Sequence, residues 1–94
     1  MAEVRGVRVR VEGVVQGVGY RAWTASTARE LGLSGWVRNR TDGSVEAVFL
    51  GPEDAVADML ARCRTGPNYA EVTAVTTFDD AARDCVGFSV LPTA

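Results

Sequence analysis

Three observations on this 94-residue chain predict an α+β fold of split β-α-β plan. An alternating stretch, Val7 to Glu12, runs through a glycine-containing turn into an alanine-rich segment. Two short β-type stretches flank the pair Asp42-Gly43. A proline followed by two acids, Pro52-Glu53-Asp54, opens a second amphipathic segment before two last β-type stretches. The order β-α-β-β-α-β plus one strand is that of a ferredoxin-like sandwich, and the length suits a single domain over residues 1–94.

Each element has its own signal. Val7, Val9 and Val11 alternate with Arg8, Arg10 and Glu12, a strand with one apolar face. Ala22, Ala25, Ala28 and Leu31 recur at helical spacing, with Arg29 in the last turn and Gly32 at C′, so the first helix runs from about Arg21 to Leu31. Trp36 to Arg40 and Ser44 to Leu50 are strands joined by a hairpin at Asp42-Gly43. The second helix starts with Pro52 at N1 and acids in its first turn. Its apolar stripe is Val56, Met59, Leu60 and Cys63, and Gly66-Pro67 stops it. Val72 to Phe78 predicts a strand and Asp79 to Asp84 a loop. Val86 to Leu91 predicts the last strand, with Phe88 and Val90 on one face.

Composition excludes whole classes of chemistry. The chain has no histidine and no lysine; all ten basic residues are arginine. Histidine-dependent triads, histidine-ligated metals, Schiff bases and Walker A loops are therefore ruled out. Net charge is −2, which argues against a general nucleic-acid surface. No apolar run is long enough for a membrane span, and the N-terminus lacks a signal peptide's apolar region, so a cytoplasmic protein is expected. Cys63 and Cys85 read as buried thiols.

The stretch Glu12-Gly13-Val14-Val15-Gln16-Gly17-Val18-Gly19-Tyr20-Arg21 joins the first strand to the first helix. A glycine turn opening a helix exposes free N–H groups at the positive end of the helix dipole, a ready site for phosphate. Arg21 adds a planar charged fork. In a split β-α-β fold the first two strands are parallel, so their C-terminal ends share one edge of the sheet. That edge also holds Asn39, which shares a face with Val37 and so looks toward the start of the first helix. Taken singly, the glycines could serve backbone angles alone, Arg21 could be a surface charge, and Asn39 could serve the hairpin. Their meeting on one edge favours a site. Arg8, Arg10, Arg38 and Arg40 read as the solvent face of the sheet. Gly17 to Ala22 also fits G-x-G-x-x-A, but a dinucleotide fold needs a larger parallel sheet, and Asp42, the acid at the right distance, belongs to the hairpin.

Gly13 to Arg21 resembles the acylphosphatase signature G-x-V-Q-G-V-x-[FY]-R. Gly35 to Glu46 is similar to that family's second signature, G-[FYW]-[AVC]-[KRQ]-N-x-x-x-G-x-V-E, and Gly51-Pro52, Gly66-Pro67 and Phe88-Ser89-Val90 extend the likeness. The resemblance implies a ferredoxin-like sandwich, two helices on one face of a five-stranded, mainly antiparallel sheet. It implies hydrolysis of small acyl phosphates to a carboxylate and inorganic phosphate, with no metal or other cofactor. By motif position Arg21 would bind the phosphate and Asn39 would orient the water, while Gln16, Gly17, Val18, Gly19, Tyr20 and Arg21 form the cradle. Val14 occupies a variable site that is often basic in the family. Inorganic phosphate would act as product and inhibitor, and a monomer with no nucleic-acid or membrane partner is expected. Two other classes stand beside this one: an anion-binding module without turnover, and a ferredoxin-like RNA binder, for which the chain has few aromatics and little basic surface. The signature also occurs as a domain within larger carbamoyl-phosphate-using proteins; a chain ending at Ala94 favours a free-standing enzyme.

Overall fold

The computed structural model describes residues 3–79 and 86–94. Its elements are β1 (Val4–Val14), α1 (Tyr20–Glu30), β2 (Ser34–Asn39), β3 (Val45–Pro52), α2 (Glu53–Cys63), β4 (Glu71–Asp79) and β5 (Phe88–Val90). One five-stranded sheet has the order β4-β1-β3-β2-β5. Every neighbouring pair is antiparallel except β2 with β5, which is parallel. Both helices pack on the sheet, α1 over β2 and β5, α2 over β1 and β3. The predicted ferredoxin-like α+β plan is the one observed.

Alternation in the sequence decides which face is covered. Val7, Val9 and Val11 of β1, Val37 of β2, and Val45 and Phe49 of β3 are at most 1% exposed. They meet Ala25 and Ala28 of α1 and Val56, Met59 and Cys63 of α2 in one core cluster. Burying each Val, Phe or Met side chain stabilises the fold by about 1.5–3 kcal/mol. The first helix ends as its sequence predicts. Leu33 N donates to Ala28 O at 2.9 Å and Gly32 N to Arg29 O at 3.1 Å, the paired bonds of a Schellman motif.

Four local expectations need correction. Tyr20, not Arg21, is the first helical residue of α1. Pro52 is the N-cap of α2 rather than its N1 residue, because it still closes β3 with extended backbone (φ −56°, ψ 140°) and Glu53 N donates to Glu3 O at 2.8 Å. Asp79 belongs to β4, paired with Val7, not to the loop after it. The last strand is shorter than Val86 to Leu91, with Val86 exposed ahead of it. The rest of the predicted loop, residues 80–84, and Cys85 lie outside the described residues.

The uncovered face of the sheet is more organised than a row of solvated arginines. Central strand β3 is buried on both sides, and Glu46 and Val48 on that face are 8% and 3% exposed. Arg8, Arg38 and Arg40 converge on the Glu46 carboxylate at 3.3, 2.8 and 3.1 Å. Arg10 pairs instead with Asp42 and Glu12. The guanidiniums of Arg8 and Arg38 also lie over the rings of Phe78 and Trp36.

Candidate active site

β1 delivers the chain to the sheet edge through a β-bulge. Its pairing with β4 shifts register between Glu12 and Gly13. Gly13 has φ 125°, and a Cβ there would overlap the Glu71 carbonyl oxygen, so only glycine lets β4 approach this closely. Beyond the bulge Gly17 and Gly19 both lie in the left-handed region, φ 75° and 80°. A Cβ at either would meet nothing within 4 Å. Glycine here serves the backbone turn and leaves the concave side of the loop open.

Gly19 is the N-cap of α1, has no side chain to cap with, and no acid occupies the first turn. The helical ladder begins with Trp23 N donating to Gly19 O at 3.0 Å. The N–H groups of Tyr20, Arg21 and Ala22 take no part in it and point out of the helix end. With the helix dipole behind them they offer a setting suited to an anion.

Three side chains hold this loop in place. The Tyr20 hydroxyl donates to the Cys63 carbonyl oxygen at 2.8 Å, tying the start of α1 to the end of α2. The Tyr20 ring packs against Trp23, 5.4 Å between centroids, and the whole residue is buried. Burial pushes its phenol well above the usual range, and the neighbouring Cys63 adds to the shift. Burial likewise pushes the Cys63 thiol up to about 11, and the nearby Tyr20 hydroxyl offsets this only in part. Gln16 Nε2 donates to Arg40 O and Ser44 O, both at 2.8 Å, joining the loop to the β2–β3 hairpin. Val18 tucks against the core.

Opposite the cradle stands Asn39, at the C-terminal end of β2. It shares the helix face with Val37, is 9% exposed, and its Oδ1 accepts no hydrogen bond from any described residue. Its backbone is held on both sides, by pairing with Val45 and by Ala94 N donating to Asn39 O at 3.0 Å. Asn39, Arg21, Gly17, Gly19 and Tyr20 line one cleft of about 330 Å³ together with Val15, Ala22 and Val90. None of the ion pairs among the described residues involves Arg21.

Seven site residues were expected from the sequence, and five of them meet in this cleft. Gln16 and Val18 belong to the loop but do not line it. Val15, Ala22 and Val90 were not foreseen. For Val90 the parity with Phe88 was visible, but the pairing of β5 beside β2, with Val37 opposite Val90, was not.

An α+β sandwich that sets uncapped helix-start N–H groups and an arginine against a neutral buried amide has the make-up of a small domain suited to a phosphate group. Acylphosphatase is the family whose profile matches, over residues 7–90. An acylphosphatase of Nitrobacter hamburgensis is 55% identical over 92 residues, covering 92% of this chain and 93% of that protein. One of Rhodospirillum rubrum is 57% identical over 84 residues, covering 89% and 92%. The structure of an acylphosphatase from Coxiella burnetii superposes with a TM-score of 0.90 at 34% identity, covering 94% of this chain and 93% of that one. The chain belongs to the acylphosphatase family, and it is a hydrolase of acyl phosphates.

Proposed function

We propose that the chain works as a single-domain, metal-free hydrolase in which the loop and Arg21 hold the phosphoryl group and Asn39 holds the attacking water. The observation that carries this reading is Asn39 Oδ1, buried without a hydrogen-bond partner among the described residues, in the same cleft as the open cradle and Arg21. A carboxamide oxygen accepts a hydrogen bond from the water, which leaves a lone pair on the water oxygen free for phosphorus. The N–H groups at the start of α1 and the guanidinium fork stabilise charge on the three equatorial oxygens.

The water oxygen forms a bond to phosphorus while the bond from phosphorus to the acyl oxygen breaks. The electron pair leaves with the carboxylate, and the water protons pass to the phosphate and to solvent. The leaving carboxylate is weakly basic, so no general acid is needed. Positioning and charge stabilisation then suffice, which a chain without histidine or lysine can provide. Inorganic phosphate, once formed, occupies the same cradle and inhibits. A cytoplasmic monomer acting on small acyl phosphates is the form in which we place this activity; no helix among the described residues is long and apolar enough to cross a membrane.

The test is hydrolysis of acetyl phosphate with and without EDTA by wild type, Arg21→Gln and Asn39→Ala. Expected are an unchanged wild-type rate in EDTA, loss of turnover in both variants, and phosphate binding, measured directly by titration, kept by Asn39→Ala and lost in Arg21→Gln. Equal loss of phosphate binding in the two variants would contradict the separate roles. Activity lost to EDTA and restored by a divalent ion would contradict the metal-free mechanism.

A further inference from the structure

The cleft is larger than its anion. Five non-hydrogen atoms of a phosphate, at about 30 Å³ each as for liquid water, fill roughly half of the 330 Å³ available. The polar lining is confined to the cradle, Arg21 and Asn39. The remaining side chains are Val15, Tyr20, Ala22 and Val90, and the Tyr20 hydroxyl is turned away to Cys63 O. Val15 and Tyr20 are each 1% exposed and present little surface, whereas Val90 is 46% exposed and Ala22 lies open on the first turn of α1.

Depth in the cleft orders these groups. By exposure, Asn39 (9%) is at the floor, and Val90 and the exposed Ala22 stand at the rim. Val90 pairs in parallel with Val37, so its side chain rises from the same face of the sheet as Asn39, one strand further out. In-line displacement sets the departing acyl oxygen on the side of phosphorus opposite the water. With the water at the floor, the acyl group points to the rim. There, among the described residues that line the cleft, it meets Val90 and Ala22, and the charged and amide side chains, Arg21 and Asn39, are those already engaged by the phosphate and the water. The wall is also pre-formed. Arg29 Nη2 donates to Phe88 O at 2.8 Å, Phe88 stacks on Phe49 at 5.7 Å, and Leu91 N donates to Val37 O at 2.9 Å.

We propose that Val90, facing Ala22 across the rim, is a specificity-determining residue that receives the acyl chain and makes the enzyme select uncharged alkanoyl phosphates. This inference rests on the hydrolytic reading above and names the substrates it favours.

The experiment measures kcat/KM for acetyl, propionyl and butyryl phosphate, whose leaving carboxylates differ little in basicity, so that chain length is the variable. Wild type should gain roughly twofold per added methylene, as expected for a wall that covers about half of each. Val90→Thr keeps the outline of the side chain and replaces a methyl by a hydroxyl; it should flatten the series. Val90→Asp should reverse it. Inhibition by inorganic phosphate, which reaches only the cradle, should persist in Val90→Thr and shows that the variant is folded. A flat wild-type series, or a gradient that survives in both variants, overturns the role of Val90 while hydrolysis itself stands. Absence of hydrolysis of all three compounds by wild type overturns the hydrolytic reading, and this inference with it.

Discussion

Gln16 reaches from the glycine loop to Ser44 on the far side of the hairpin, its Nε2 donating to the Ser44 carbonyl oxygen at 2.8 Å. The same nitrogen donates to Arg40 O, the residue after Asn39. One side-chain amide therefore fixes the distance between the cradle and the strand that carries the neutral amide. Small errors in such a distance reduce rates strongly, because in-line attack depends on near-contact geometry. Gln16→Ala should lower kcat/KM for acetyl phosphate by about tenfold or more, and lower Tm by about 4–8 °C for each kcal/mol lost. The check is activity measured well below the new Tm. Full activity there would show that Gln16 stabilises the fold without positioning the site.

Arg21→Lys tests the shape of the cation rather than its charge. A guanidinium offers two parallel N–H donors to an oxyanion, and an ammonium is a point charge on a flexible stem. The lysine variant should lose at least about a hundredfold in kcat/KM, a loss of roughly 3 kcal/mol. It should retain weak inhibition by inorganic phosphate. Near wild-type turnover by Arg21→Lys would mean that only net charge is required at this position.

The sequence makes the site more legible than the sheet's other face. The glycine turn, Arg21 and Asn39 are local features, and parity along β2 places Asn39 on the helix side without knowledge of any partner strand. The grouping around Glu46 depends on register between strands, Arg10 opposite Glu46 on one side and Arg38 on the other. No local pattern encodes that register. Nor does it show that central strand β3 is covered on both faces. Pro52 illustrates a third limit: the same residue suits a strand end and a helix start, and only the hydrogen bond from Glu53 N to Glu3 O decides which. Val90 was missed for the same reason as Glu46, since it joins the site only through the pairing of β5 with β2.

Glu46 links charge to stability. Burial alone, the largest effect, would raise its pKa. The hydrogen bond from Arg38, the charges of Arg38 and Arg40, and the bond from Arg40 together outweigh burial and hold it below the usual range. A carboxyl depressed in the folded state contributes stability that is complete above the unfolded pKa, about 4.3, and is lost as pH falls through the folded value. Glu46→Gln should therefore be about 1–2 kcal/mol less stable than wild type at pH 7, the lower range being set by the partial exposure of its arginine partners. The difference should shrink as pH falls from about 5 toward 3. Urea denaturation of both proteins across that range is the measurement; a constant gap would assign the effect to packing rather than charge.

The pH dependence of the chemistry should be different from that of stability. General-base catalysis shows as a limb in the rate profile at the pKa of the base. Among the groups with shifted values, none titrates near neutrality. Hydrogen bonds from the Ser44 hydroxyl and then its N–H, helped by Arg10, lower the Asp42 carboxyl to about 2. Glu46 is held below the carboxylate range, Cys63 lies at about 11, and Tyr20 is displaced upward by burial. In the proposed mechanism the groups that touch the phosphoryl oxygens and the water are backbone N–H groups, a guanidinium and a carboxamide, and none of these exchanges its proton state at neutral pH. The substrate's phosphate has its own second ionisation, about 6 for a phosphorylated hydroxyl and lower for an acyl phosphate. Once that is accounted for, kcat should vary by less than about twofold from pH 6 to 8. The profile should be taken with wild type and Asn39→Asp. In that variant a carboxylate replaces the amide beside the water, placing negative charge against the incoming phosphate and leaving the residual rate far below wild type. A tenfold limb in the wild-type profile, persisting on fully ionised substrate, would require a titrating group within reach of the water and would remove the proposed neutral role of Asn39.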